Sequence, residues 1–190
     1  MTTTPVRSGR HLLAILALAV VLAACGTAPS PTQPAAPTIP PSLMAIASPG
    51  EPLGALPAVE GVAYRTELDG IAGFVGNSKE SIGEDVEIEI VQSVVATRDD
   101  GAVSIIAFGF PGATDTEAVD YFARIIDKME DGFGAASQRG LDGRAYVMTA
   151  NDRSVVLAPW GRLEYLVFLF AVGPADVTEG VVAGILDADG

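Results

Sequence analysis

Cysteine and histidine are all but missing from this chain: Cys25 is the single cysteine and His11 the single histidine, so neither residue type occurs after position 25. Residues 26–190 therefore cannot build a Ser-His-Asp or Cys-His catalytic set, a zinc site that draws on Cys or His, or a disulfide. A domain of this length needs no such staples, because it can bury an adequate core. Lysine is nearly as scarce, with Lys79 and Lys128 the two in the chain. A Ser-Lys nucleophile pair is thereby confined to Ser78, Lys79 and Ser81, in a Gly-flanked stretch that reads as irregular. Of the 11 Lys and Arg, Arg7 and Arg10 precede Cys25, which leaves nine against 24 Asp and Glu and a net charge of −15 after that point. No basic run occurs there, which excludes nucleic-acid binding, a function carried by Lys and Arg clusters. Anionic headgroups should likewise repel the domain from a bilayer surface.

What is present at the N-terminus is a patterned leader. Arg7 and Arg10 form a positive segment, Leu12 to Val21 an apolar one, and small residues lead up to Leu22-Ala23-Ala24-Cys25. This is the layout of a secretory signal peptide. The four residues ending at Cys25 resemble the lipobox of bacterial lipoprotein precursors. That resemblance covers about the first 25 residues. It implies that a diacylglyceryl group joins the Cys25 sulfur, that signal peptidase II cleaves between Ala24 and Cys25, and that Cys25 becomes the lipidated N-terminus. It further implies a protein of the cell envelope, held on the extracytoplasmic side of a bacterial membrane by that lipid. The competing reading is an uncleaved transmembrane anchor. Leu12 to Ala24 supplies 13 apolar residues, whereas a spanning helix needs about 20, and the position of the one cysteine would then be coincidence. Two or three acyl chains on one residue make a stable anchor.

Residues 26–57 are interleaved Pro, Ala, Ser and Thr, with prolines from Pro29 to Pro57. Such a composition buries no core and reads as an extended spacer, with a reach on the order of 100 Å in polyproline II form. Residues 58–190 read as one domain. Gly70, Gly73 and Gly76 punctuate residues 60–83, which suggest a short strand and loop. Val86 to Thr97 alternates until Val91, where a bulge is expected. Asp99-Asp100-Gly101 signals a hairpin turn, and Ala102 to Phe110 returns as a strand. Thr114 and Glu117 match a capping box at the head of a helix whose stripe runs through Val119, Phe122, Ile126 and Met129. Strands follow over Arg144–Ala150, Ser154–Ala158 and Leu163–Ala171, the last two joined through Pro159-Trp160-Gly161. Asp176 then caps a second helix that buries Val177, Val181, Val182, Ile185 and Leu186. The order ββ-α-βββ-α points to an α+β fold: a two-layer sandwich, with two helices on one face of an antiparallel sheet.

One strand resists that scheme. Leu163 to Phe170 is apolar on both faces apart from Glu164, whereas the open face of a two-layer sandwich is polar. Phe168 and Phe170 fall on one face and Tyr165, Val167 and Leu169 on the other, and only one set can meet the helices of a two-layer sandwich. The second face is covered by residues 58–83, by a partner protein, or by an apolar ligand in a cavity, the first being preferred. Trp160, Tyr165, Phe168 and Phe170 are the candidate ligand or partner face. Trp160 also fits a role at the core edge.

Other constellations are weaker. Gly132-Phe133-Gly134-Ala135-Ala136-Ser137 approaches a dinucleotide fingerprint but follows a helix and opens none. Glu87 and Glu89 lie about 7 Å apart on one strand face, within the span of an inverting glycosidase, yet adjacent solvated carboxylates are common. Asp127, Glu130 and Asp131 sit where a helix macrodipole disfavours anions, a cost that a bound Ca²⁺ would relieve, but the spacing matches no cation loop. No catalytic residue, metal ligand or cofactor motif stands out. The expected function is a lipid-anchored extracytoplasmic binding module, non-catalytic and of unspecified ligand, with an apolar small molecule or an envelope protein as its partner. The alternatives are an envelope protein that docks on a membrane or cell-wall complex and, third, a carboxylate-based hydrolase. A cavity favours the first, a flat exposed apolar patch the second, and a deep cleft with two carboxylates the third.

Overall fold

A computed structural model describes residues 56–188. The leader, Ala24, Cys25 and all of the spacer before Leu56 lie outside the described residues. Seven strands and three helices follow in the order β1 (Ala63–Thr66), α1 (Ile71–Ile82), β2 (Glu89–Arg98), β3 (Gly101–Gly109), α2 (Asp115–Phe133), β4 (Gln138–Gly140), β5 (Ala145–Ala150), β6 (Arg153–Arg162), β7 (Leu166–Pro174) and α3 (Ala175–Ala188). The strands form one sheet in the order β1-β2-β3-β7-β6-β5-β4, antiparallel throughout. Two sequential sets, β1 to β3 and β4 to β7, thus meet at a single seam between β3 and β7.

The α+β class with an antiparallel sheet is therefore as expected, and the finer layout is not. Among the described residues there are three helices rather than two, and the order is β-α-ββ-α-ββββ-α. The two expected helices lie on opposite faces, so the sheet is the middle of three layers. On one face α3 packs across β6, β7 and β3, with Val177, Val181, Val182 and Ile185 against Val103, Ile105, Val156, Leu169 and Ala171. On the other, α2 and α1 cover Ile106, Phe108, Tyr146, Leu157 and Phe168 with Phe122, Ile125, Ile126, Phe74 and Ile82. The double apolarity of β7 follows directly. Val167 and Leu169 serve the α3 face and Phe168 the α2 face, so both sets meet helices. At the centre of the second core the Phe122 and Phe168 rings stack with centroids 4.2 Å apart.

Residues 58–83 contribute to both covers. α1 stands where a short strand and loop were expected, held by the buried Phe74, Ser78 and Ile82 and by a Lys128–Glu80 ion pair at 2.8 Å. On the α3 side Val59 and Val62 pack on the core. Packing starts before residue 58: Leu56 is buried, and its N–H donates to Gln92 Oε1 at 3.0 Å.

Local signals behave unevenly. The register of β2 against β3 shifts between Ile90 and Gln92, placing the bulge at Val91, and Arg98 pairs with Gly101 across the Asp99-Asp100 turn. Thr114 and Glu117 form the reciprocal capping box, with Glu117 Oε2 accepting from the Thr114 N–H at 2.9 Å. Pro159-Trp160-Gly161, in contrast, is no turn. It extends β6 to Arg162, and the chain reverses over residues 163–165. Pro159 pairs with Phe168 of β7 beyond Leu157, the last residue of β6 paired with β5, and next to a register shift between Pro159 and Gly161, the edge or bulge setting in which a strand accepts proline. Asp176 is not a cap either: α3 starts at Ala175, directly on β7, and the Thr178 hydroxyl donates to the Pro174 carbonyl at 2.8 Å.

Candidate functional site

α1 and α2 leave part of their sheet face open. The gap is a cavity of about 360 Å³, within the range of about 300–1,000 Å³ typical of small-molecule sites. Ser93 of β2, Ser104 and Ile106 of β3, and Phe170 and Val172 of β7 make its floor, which crosses the seam of the sheet. Gly70, Gly73, Phe74 and Asn77 of α1 make one wall, Met129 of α2 adds to the lining, and Glu67 and Asp69, half-buried and exposed, stand at the mouth.

α1 presents glycine to this space: Gly73 lines it, and a Cβ built there meets no atom within 4 Å. Gly70 takes the left-handed conformation that starts the helix, φ 89°, and supplies no side-chain cap. The inner wall is aromatic. Phe74 lies edge-on to Phe108 at 4.8 Å and tilted to Phe170 at 5.0 Å, so the floor is continuous with the phenylalanine core. The mouth is acidic. Glu67 accepts from Arg65 Nη2 at 3.0 Å and from the Asp69 N–H at 3.2 Å, and its own N–H donates to the Ser93 carbonyl at 3.1 Å. The Asp69 carboxylate and the Ser93 hydroxyl have no protein partner among the described residues.

Of the four residues expected to form a ligand face, Phe170 alone lines this cavity. Phe168 is fully buried beneath α2 and touches no solvent. Trp160 is 2% exposed within the opposite core, its indole N–H without a partner among the described residues, so it is not the exposed stacking platform that a hairpin turn would have made it. Tyr165 is half-buried on the α3 face, its ring lying on Gly109. Burial, with the Glu89, Glu164 and Glu87 carboxylates around it, pushes its phenol well above the usual tyrosine range.

The remaining constellations resolve into structure. Ser78 is buried in α1 while Lys79 Nζ donates to the Glu84 carbonyl at 3.0 Å, so the two do not form a nucleophile pair. Glu87 precedes β2, and both it and Glu89 are exposed. Glu130 Oε1 accepts from the Ser137 N–H at 2.7 Å and holds the loop after α2. Burial, then Glu130 and Asp131, raise the Asp127 carboxyl. No group of three or more His, Cys, Asp or Glu is placed to hold a metal ion among the described residues, and no helix among them is long and apolar enough to cross a membrane. Phe74, Asn77, Ser93, Ser104, Glu67 and Asp69 carry no sequence signal of a site, and Gly73 stands out from sequence only as punctuation. The three-residue spacing of Gly70, Gly73 and Gly76 was the available signal, once read on a helix. No protein-family model matches this chain, and no curated protein or solved structure does.

Proposed function

We propose that this protein is a non-catalytic binding module of the bacterial cell envelope, anchored by lipid on Cys25 and carrying its ligand site between α1 and the sheet. The cavity bounded by Gly73, Phe74, Ser104, Ile106 and Phe170 is the observation that carries this reading. It joins an apolar floor to a few polar groups, the usual composition of a small-molecule site. The docking alternative has less behind it. Leu68, 71% exposed, is a lone apolar side chain beside the cavity mouth, and an isolated residue makes no contiguous patch. The hydrolase is weaker still, since the carboxylates at the mouth sit at the solvent boundary and Glu67 is engaged by Arg65 and the Asp69 N–H.

The anchor rests on the Leu22-Ala23-Ala24-Cys25 lipobox, and the spacer after it would carry the domain clear of the bilayer. Mass spectrometry of the protein purified from a bacterial host tests both parts. The expected N-terminus is an acylated Cys25 with Met1–Ala24 removed, and native spectra should show a small molecule that organic extraction releases. An unmodified Cys25 behind an intact Met1 refutes the anchor. A domain that neither carries nor takes up any small molecule refutes the binding module.

A further inference from the structure

We propose that the cavity accepts an organic ammonium ion, a primary or quaternary amine on a short apolar body. The inference rests on the binding-module reading and adds the charge and class of the ligand. Among the 13 residues that line the cavity there is no Lys, Arg or His, and there are two carboxylates, Glu67 and Asp69. Arg65 balances Glu67 from outside, with its side chain 75% exposed, and Asp69 is left as one uncompensated negative charge at the mouth. A fatty carboxylate or phosphate would meet that charge with no cation to receive it. An ammonium group meets it with the opposite sign, and the net charge of −15 after Cys25 raises the local concentration of cations over the whole surface.

The interior suits the rest of such a molecule. Phe74 and Phe170 are 5.0 Å apart and offer ring surface to a cation or to its alkyl substituents, while Ile106, Val172 and Met129 supply apolar area. The Ser93 residue is 9% exposed, and its hydroxyl, like that of Ser104, is an open acceptor for an N–H donor. Gly73 supplies the clearance: helix interiors disfavour glycine by about 1 kcal/mol relative to alanine, and nothing packs within 4 Å of where its Cβ would be.

The test is calorimetric titration of the mature chain, residues 25–190 with Cys25→Ser, using octylammonium, octanol and octanoate at pH 7. Octylammonium should bind about tenfold tighter than octanol, the effect of one partly screened charge pair, and octanoate more weakly than either. Asp69→Asn should remove most of the ammonium's advantage and leave octanol unchanged. Gly73→Leu should abolish binding of all three, with thermal melting retained. Gly76→Leu serves as the control, because its Cβ also meets nothing within 4 Å yet Gly76 does not line the cavity. If octanol or octanoate binds as tightly as octylammonium, or Asp69→Asn has no effect, and Gly73→Leu still blocks, the ammonium assignment is overturned and the cavity stands. If none of the three binds, or Gly73→Leu leaves binding intact, the cavity reading falls with it.

Discussion

Two glycines in this domain should respond to alanine with opposite signs, because one faces empty space and the other a ring. Gly73 lies in the interior of α1, at an ordinary helical φ, and an added Cβ meets nothing within 4 Å. Gly73→Ala should therefore return the helix-propensity cost of about 1 kcal/mol. For a domain of this size that raises the melting midpoint by about 3–5 °C. Gly109 of β3 lies under Tyr165, and a Cβ there would come within 2.5 Å of Tyr165 Cδ2 and 2.7 Å of the Leu166 carbonyl oxygen. The ring has some freedom to move and the backbone carbonyl has little, so Gly109→Ala should cost about 1–3 kcal/mol, the range for overpacking. Trp160, the single tryptophan, is 2% exposed, and its fluorescence reports unfolding in urea without an added label. The expected result is a higher urea midpoint for Gly73→Ala and a lower one for Gly109→Ala, at similar slopes. A loss of stability in Gly73→Ala would show that α1 is not helical at that point, or that another group occupies the gap.

Truncation and titration give two further expectations. Deleting residues 26–55 from the mature chain should leave thermal unfolding unchanged, whereas deletion through residue 62 removes Leu56, Val59 and Val62 from the α3 face and should lower the midpoint by several degrees, since one buried leucine alone is worth about 1.5–3 kcal/mol. A drop after the shorter deletion would place part of residues 26–55 in the packed structure. Tyr165 predicts the alkaline limb. Its phenol titrates above the unfolded value of about 10 because of burial and the surrounding glutamates, so its stabilising share is intact below pH 10 and is lost as the pH rises from there towards the folded value. Tyr165→Phe should flatten that limb in urea midpoints measured from pH 8 to 11, with little change at pH 7, where the phenol is protonated in folded and unfolded chain alike. An unchanged alkaline limb would mean that the ring is solvated.

The legible parts of the fold are those whose cause is local. The bulge at Val91 shows as a break in alternation, the Asp99-Asp100 turn as a dipeptide, and the start of α2 as a Thr and Glu at the required spacing. The elements missed are those held by distant contacts. α1 contains Gly73 and Gly76, lacks a side-chain cap, and exists because Phe74 and Ile82 bury into a core made by β3, β7 and α2. β4 is three residues long and shows no period. Trp160 is drawn into β6 by burial, against the turn propensity of its neighbours Pro159 and Gly161. The sequence pattern of β7 did reveal a sheet covered twice, but residue spacing within α2 and α3 defines an apolar stripe and not the face it meets. The cavity was unreadable for a related reason: its decisive residues are a glycine and two serines, whose contribution is space and unused hydroxyls.

The seam between β3 and β7 has a consequence for how the chain acquires its structure. Pairs across it run from Gly109–Val167 to Ser104–Val172, separations of 58 to 68 residues, and α3, which packs over it, is the last element of the described chain. Contacts so remote in sequence slow folding, because loop entropy is lost before they form. A chain emerging N-terminus first would hold β1 to β3 as an incomplete half, with Ile106 and Phe108 uncovered by strand on one side, until β7 arrived. The same delay leaves apolar edges exposed while the chain is incomplete, so point changes along β3 and β7 should affect the yield of folded protein more steeply than they affect its equilibrium stability.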